Sequence, residues 1–213
     1  MNIIDTSTNF LPKSGICNIP LFAINKIEHA DLSGSKEIVI FQSPSAVKNY
    51  SFLEKLADKK IIAMGPGTQK ALQEKGLDST LPKNYNSAGI IEYLESDFDD
   101  NNVLIVKGEN GVNDIEEHIN KYGGNVESIS VYRRNVFEDY TQIRNDYLNA
   151  DAIIFTSTMA AKIYFEKIYQ SRVNTRFYSI SNRIKSIIEE YGFEAITLDY
   201  FSDNLIKSIK GSI

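Results

Sequence analysis

The residues most suited to chemistry stand where short apolar runs stop. Ile38-Val39-Ile40-Phe41 gives way to Gln42-Ser43-Pro44-Ser45, and Ile61-Ile62-Ala63-Met64 to Gly65-Pro66-Gly67-Thr68. A small or polar residue followed by proline marks a helix start. Ser43 and Gly65 suit the N-cap, and Pro44 and Pro66 the first helical position, where a missing N–H costs nothing. Ser87 is expected to cap a third helix. Unpaired N–H groups gather at such starts and favour negative charge, so the chemistry they predict is anion binding. Nothing points to a metal or a strong nucleophile: Cys17 is the only cysteine, and with His29 and His118 it makes no zinc set. The Gly65-Pro66-Gly67 turn lacks the Lys-Ser/Thr of a P-loop and the spacing of a dinucleotide fingerprint, which disfavours an enzyme using a phosphate ligand there.

The chain has 213 residues and a formal charge of −5. That length suits one large domain or two small ones. The acidic balance argues against a nucleic-acid partner. No apolar run is long enough to span a bilayer, and the N-terminus shows no signal-peptide pattern. A cytoplasmic protein with no membrane partner is expected. No exposed apolar stripe stands out, so the expected state is a monomer.

The elements that position these residues follow from periodicity. Residues 2–5 read as a strand, 6–15, broken by Pro12 and Gly15, as a loop or about one helical turn, and 16–27 as a strand running on into a connector. Residues 44–57 read as one helix with Val47, Tyr50, Leu53 and Leu56 on a stripe. Helix 66–75 is closed by Gly76, and Ile90, Ile91 and Leu94 lie on the helix from Ser87. Strand 103–106 stops at Lys107-Gly108-Glu109, where Lys107 either partners a carboxylate, stays solvated, or is cancelled by Glu109. Helix 113–122, strand 126–132 ending in Tyr132-Arg133-Arg134, and helix 139–149 follow.

The pattern then returns. Asp151-Ala152-Ile153-Ile154-Phe155-Thr156-Ser157 repeats the run ending at Ser43, Phe177 to Asn182 repeats Ile61 to Pro66, and Ser202 to Ile206 repeats Ser87 to Ile91, all at an offset of 114 to 116 residues. Such a period means a duplicated domain. The second copy ends without the following strand pair, and the N-terminal strand candidates can supply it. The expected fold is therefore α/β: two doubly wound, flavodoxin-like parallel-sheet domains joined by a two-stranded linker, with a substrate cleft between them. Residues 1–27 with 140–213 form the discontinuous domain, 36–133 the continuous one, and 28–35 and 134–139 the linkers.

Taken together, Phe41-Gln42-Ser43-Pro44-Ser45-Ala46-Val47, Ala63-Met64-Gly65-Pro66-Gly67-Thr68, Ser87-Ala88-Gly89-Ile90, Leu104-Ile105-Val106-Lys107-Gly108, Val131-Tyr132-Arg133 and Phe155-Thr156-Ser157 resemble the uroporphyrinogen-III synthase family in order and spacing. The resemblance implies cyclisation of hydroxymethylbilane to uroporphyrinogen III, with inversion of ring D through a spiro intermediate and loss of water. It implies no metal and no organic cofactor. Tyr132 matches the tyrosine at a strand end that would act as general acid; the other reading of this residue is a tyrosine packed under a linker. Ser43, Ser45, Gly65, Gly67, Thr68 and Ser87 match the first domain's loops that would bind carboxylates of the linear tetrapyrrole. Thr156, Ser157, Thr158, Asn182 and Arg183 are their second-domain counterparts, and Lys107-Gly108 stands where the family has Arg-Gly. Arg133 and Arg134 either bind carboxylates or hold the linker. Two departures stand out: Ser181-Asn182-Arg183-Ile184 replaces a Gly-Pro-Thr, and Thr6-Ser7-Thr8 replaces a Thr-Arg-Pro. A second reading, from a different class, is a non-catalytic two-lobed binding protein for a polyanionic small molecule.

Overall fold

The computed structural model describes residues 1–8, 13–97, 102–170, 174–202 and 204–211. Pro12 and Asp203, which fall in two of the expected elements, lie outside them. Among the described residues ten strands run in chain order: β1 (Ile3–Asp5), β2 (Ile16–Asn18), β3 (Phe22–Lys26), β4 (Ile38–Phe41), β5 (Lys60–Ala63), β6 (Asn102–Gly108), β7 (Asn125–Val136), β8 (Ala152–Phe155), β9 (Arg176–Ser179) and β10 (Ala195–Thr197). The α-helices are α1 (Pro44–Asn49), α2 (Pro66–Gln73), α3 (Ser87–Asp97), α4 (Asp114–Lys121), α5 (Thr141–Leu148), α6 (Thr158–Ile163), α7 (Asn182–Glu190) and α8 (Leu205–Gly211). Among the described residues no helix is long and apolar enough to cross a membrane.

The chain divides into two units, Met1–Ala23 with Asn135–Ile213, and Ile24–Arg134. The first holds a sheet in the order β10-β9-β8-β1-β2, with every pairing parallel. The second sheet has the order β3-β7-β6-β4-β5, parallel from β7 to β5. Thr80 bridges Ile62 beyond β5, where the other unit pairs Ile196 with Tyr178. Val103 sits beside Ile38 as Ile3 sits beside Ala152. The two sheets therefore share one strand order, and the duplication read from sequence is a duplication of topology.

Alternation along the strands sorts the core. Val39, Phe41, Leu104 and Val106 pack with Ala46, Val47, Ala71 and Leu72 of α1 and α2. Ile38, Ile40, Val103 and Ile105 face the other way, onto Ile90, Leu94, Ile115 and Ile119 of α3 and α4. Strands covered on both faces must be apolar at every position, which is why these runs do not alternate in polarity. Each such side chain contributes about 1.5–3 kcal/mol by burial. In the other unit, Ile3, Ala152, Ile154 and Tyr178 pack on Leu205 and Ile209 of α8.

Three local expectations are corrected. The single helix over 44–57 is split: α1 ends at Asn49, Tyr50 is extended at φ −74° and ψ 126°, and a 3-10 turn covers Leu53–Leu56. The cause lies outside the segment. His29 accepts the Ser51 N–H at 3.1 Å and stacks on the Tyr50 ring with centroids 5.4 Å apart, so this backbone group bonds to a side chain instead of continuing the helix. The strand over 16–27 is two strands, β2 and β3, placed in different sheets on either side of Pro20. Finally, Asn86 and not Ser87 caps α3, its Oδ1 accepting the Gly89 N–H at 2.9 Å. Gly76, with φ +76°, closes the loop after α2 as its freedom allows.

Candidate functional site

In parallel sheets of this kind, ligands are bound beyond the carboxyl ends of the strands. In unit 24–134, β4 ends at Phe41, and Ser43 follows as N-cap of α1. Its Oγ accepts the Ala46 N–H at 3.1 Å and lies 2.9 Å from the Tyr132 hydroxyl. Tyr132 comes from β7, two strands away. The register of β7 against β6 slips there, Lys107 facing Ser130 and Gly108 facing Tyr132. This bulge breaks the alternation, so that Val131 and Tyr132 are both buried in the α1–α2 core. Arg134, next on the same strand face, donates from Nη2 to the Tyr132 hydroxyl at 2.9 Å. The phenolic oxygen is thus held between a serine hydroxyl and a guanidinium.

Gly108 makes room for that ring: any side chain there would overlap Tyr132. Lys107 is buried and spent inside the unit, donating to Asn113 Oδ1 at 2.6 Å and pairing with Glu116 at 2.9 Å. Of the alternatives for Lys107, the Glu109 pair is not formed: Glu109 pairs with Arg133 at 3.7 Å. Burial pushes the Glu116 carboxyl up, but hydrogen bonds from Lys107 and Ser128 and the Lys107 charge outweigh it and hold it below the ordinary value. Gly65 is the extended N-cap of α2, without a side-chain cap, and Gly67 and Thr68 follow in its first turn with Thr68 buried. Ser45 is buried in the first turn of α1. Ser87 is the first residue of α3.

Unit 1–23 with 135–213 repeats the device. Ser157 caps α6, its Oγ accepting the Ala160 N–H at 3.1 Å, and Thr158 opens that helix. The Thr156 N–H is taken by Thr6 Oγ1 at 3.2 Å. Ser181 caps α7 through the Ile184 N–H, and Asn182 and Arg183, both exposed, form its first turn.

The sequence reading missed Asp5. It ends β1 and is fully buried, with its Oδ2 accepting from the Tyr200 hydroxyl at 2.7 Å and its Oδ1 from the Ser7 N–H at 2.7 Å. Burial pushes its carboxyl above the ordinary range, against the pull of Tyr200, Ser7 and the Lys13 charge. Tyr200 is pushed up in turn, by burial and by Asp5. The one available signal was an acidic residue closing an apolar run. Among the described residues no cluster of three or more His, Cys, Asp or Glu could hold a metal ion.

The chain matches the family model described as HEM4, Uroporphyrinogen-III synthase HemD, over residues 16–209. A search of curated proteins found no match. Among solved structures it resembles uroporphyrinogen-III synthetase from Helicobacter pylori, with a TM-score of 0.71 and 16% identity, covering 99% of this chain and 98% of that one. It also resembles a mutant uroporphyrinogen III synthase from the extremely thermophilic bacterium Thermus thermophilus, with a TM-score of 0.61 and 12% identity over 99% and 98% of the two chains. At such identities the structural likeness speaks for the fold.

Proposed function

Because this chain belongs to the uroporphyrinogen-III synthase family, we propose that Tyr132 is the acid with which it performs that family's reaction. The enzyme closes hydroxymethylbilane to uroporphyrinogen III in haem biosynthesis, with ring D inverted and water lost. The step that needs a proton is departure of the terminal hydroxyl. Tyr132 gives its phenolic proton to that oxygen and water leaves. The electrophilic methylene left on the pyrrole is attacked by a carbon of the ring system. The proton released when the macrocycle regains its aromatic pyrroles returns to the phenolate, so the enzyme ends as it began. The observation that carries this role is the hold on the Tyr132 oxygen by Ser43 Oγ and Arg134 Nη2, each at 2.9 Å.

Binding of the polycarboxylate substrate is assigned to Ser43, Ser45, Gly65, Gly67, Thr68, Ser87, Lys107 and Gly108 in one unit and to Thr156, Ser157, Thr158, Asn182 and Arg183 in the other. What supports it is the set of helix starts following strand ends, where a carboxylate gains about 0.3–1 kcal/mol per terminus. Lys107 supplies the least, because Glu116 already balances its charge. The same reading makes the enzyme a cytoplasmic, monomeric lyase; the molar mass in solution tests the monomer.

The deciding experiment incubates the protein and its Tyr132→Phe variant with hydroxymethylbilane and separates the type I and type III products. Wild type forms type III in excess over the spontaneous type I. The variant keeps its KM and loses about 100-fold or more in kcat, the scale of a missing general acid. Unchanged turnover removes the acid role, and type I alone from wild type returns the chain to a polyanion-binding protein.

A further inference from the structure

We propose that Arg134 is a positioning residue for Tyr132, orienting the phenolic oxygen before proton transfer and neutralising the charge left on it afterwards. This rests on the reading of Tyr132 as the acid. Residues two apart on β7 share a face, so Arg134 lies on the Tyr132 side and Arg133 on the other. Their partners follow that division: Arg133 pairs with Glu109 at 3.7 Å, whereas Arg134 Nη2 donates to the Tyr132 hydroxyl at 2.9 Å with its Cζ 5.3 Å from the ring centroid. Among the described residues no carboxylate lies within ion-pair distance of Arg134, so its charge is not cancelled as that of Lys107 is.

Counting protons and lone pairs gives the rest. A guanidinium only donates, so it occupies one lone pair of the phenolic oxygen. Ser43 Oγ accepts the Ala46 N–H on one lone pair and keeps a proton and a second lone pair, so at 2.9 Å it serves the Tyr132 hydroxyl as donor or as acceptor. When Arg134 and Ser43 both donate to the phenolic oxygen, its own proton is free to face a substrate. Once that proton has moved to the leaving hydroxyl, the same two donors meet a full negative charge, and charge-assisted hydrogen bonds strengthen at that moment. An interaction stronger after proton transfer than before it lowers the barrier instead of tightening binding.

The test is a kinetic cycle on the intact chain with hydroxymethylbilane as substrate. Arg134→Gln is expected to lower kcat about tenfold and to leave KM within about twofold. Arg134→Lys regains part of the loss, since an ammonium donates but lacks the planar fork. In a Tyr132→Phe background, Arg134→Gln costs nothing further. A raised KM with kcat intact would make Arg134 a carboxylate contact and overturn the proposal. So would losses that multiply in the double variant. If Tyr132→Phe slows the enzyme and Arg134→Gln does not, the proposal alone fails; if Tyr132→Phe leaves kcat unchanged, the acid reading fails and takes the proposal with it.

Discussion

The ring of Tyr132 lies across the backbone of Gly108: a Cβ on that glycine would stand 2.5 Å from Tyr132 Cζ and 2.8 Å from its hydroxyl oxygen. The glycine is needed here for space and not for an unusual backbone angle. Gly108→Ala must therefore push the ring aside and break its hydrogen bonds to Ser43 and Arg134. We expect a stability loss of about 1–3 kcal/mol, the usual range for overpacking. We also expect kcat to fall at least as far as in Tyr132→Phe, although the hydroxyl is still present. Thermal unfolding and steady-state kinetics on the same preparation check this. Full turnover would mean that the place of the hydroxyl does not matter.

Ser43 and Ser157 are matched caps with different company. Both are extended, at φ −162° and −152°, and each accepts the N–H three residues on at 3.1 Å. Only Ser43 also reaches the Tyr132 hydroxyl. Replacing either with alanine costs about 1 kcal/mol through the lost cap. Ser43→Ala is expected to lose kcat severalfold as well. Ser157→Ala is expected to keep kcat and to raise KM. Urea denaturation of both variants, followed by kinetics, separates the shared effect from the catalytic one. Equal kcat in the two would reduce Ser43 to a helix cap.

Local features were legible in the sequence and distant partners were not. The apolar runs 38–41 and 152–155, the Pro44 and Pro66 starts and the glycine at 76 each carry their own signal, and the 114–116 offset showed that the units are copies. The split after Asn49 was hidden because its cause, His29, belongs to a different segment. The Asn86 cap was hidden by one position, since Asn and Ser serve equally well. The Lys107–Glu116 pair was missed because Glu109 is nearer in sequence, whereas the fold brings the first turn of α4 back over the strand end. In the candidate site, the Tyr132–Arg134 link follows from strand alternation, but the bulge that turns Tyr132 inward has no residue signature. Asp5 and Tyr200 are 195 positions apart, and only the sheet order brings them together.

That last pair predicts how stability responds to pH. Asp5 is buried, and burial raises its carboxyl above the ordinary value of 3.8 despite the hydrogen bonds from Tyr200 and Ser7 and the Lys13 charge. The folded chain therefore holds this proton more tightly than the unfolded chain does. A group with a raised folded value contributes stability that is complete below the unfolded value and is lost as pH rises through the folded one. Asp5→Asn removes that contribution while keeping the size of the side chain. The unfolding free energy of wild type minus that of the variant should then be largest below about pH 4 and fall as pH rises toward neutrality. Urea titrations of both proteins at several pH values measure it. A wild-type-minus-variant difference that rises toward neutral pH would mean that the hydrogen bonds from Tyr200 and Ser7 outweigh desolvation and keep Asp5 ionised, which would reverse the sign of its contribution.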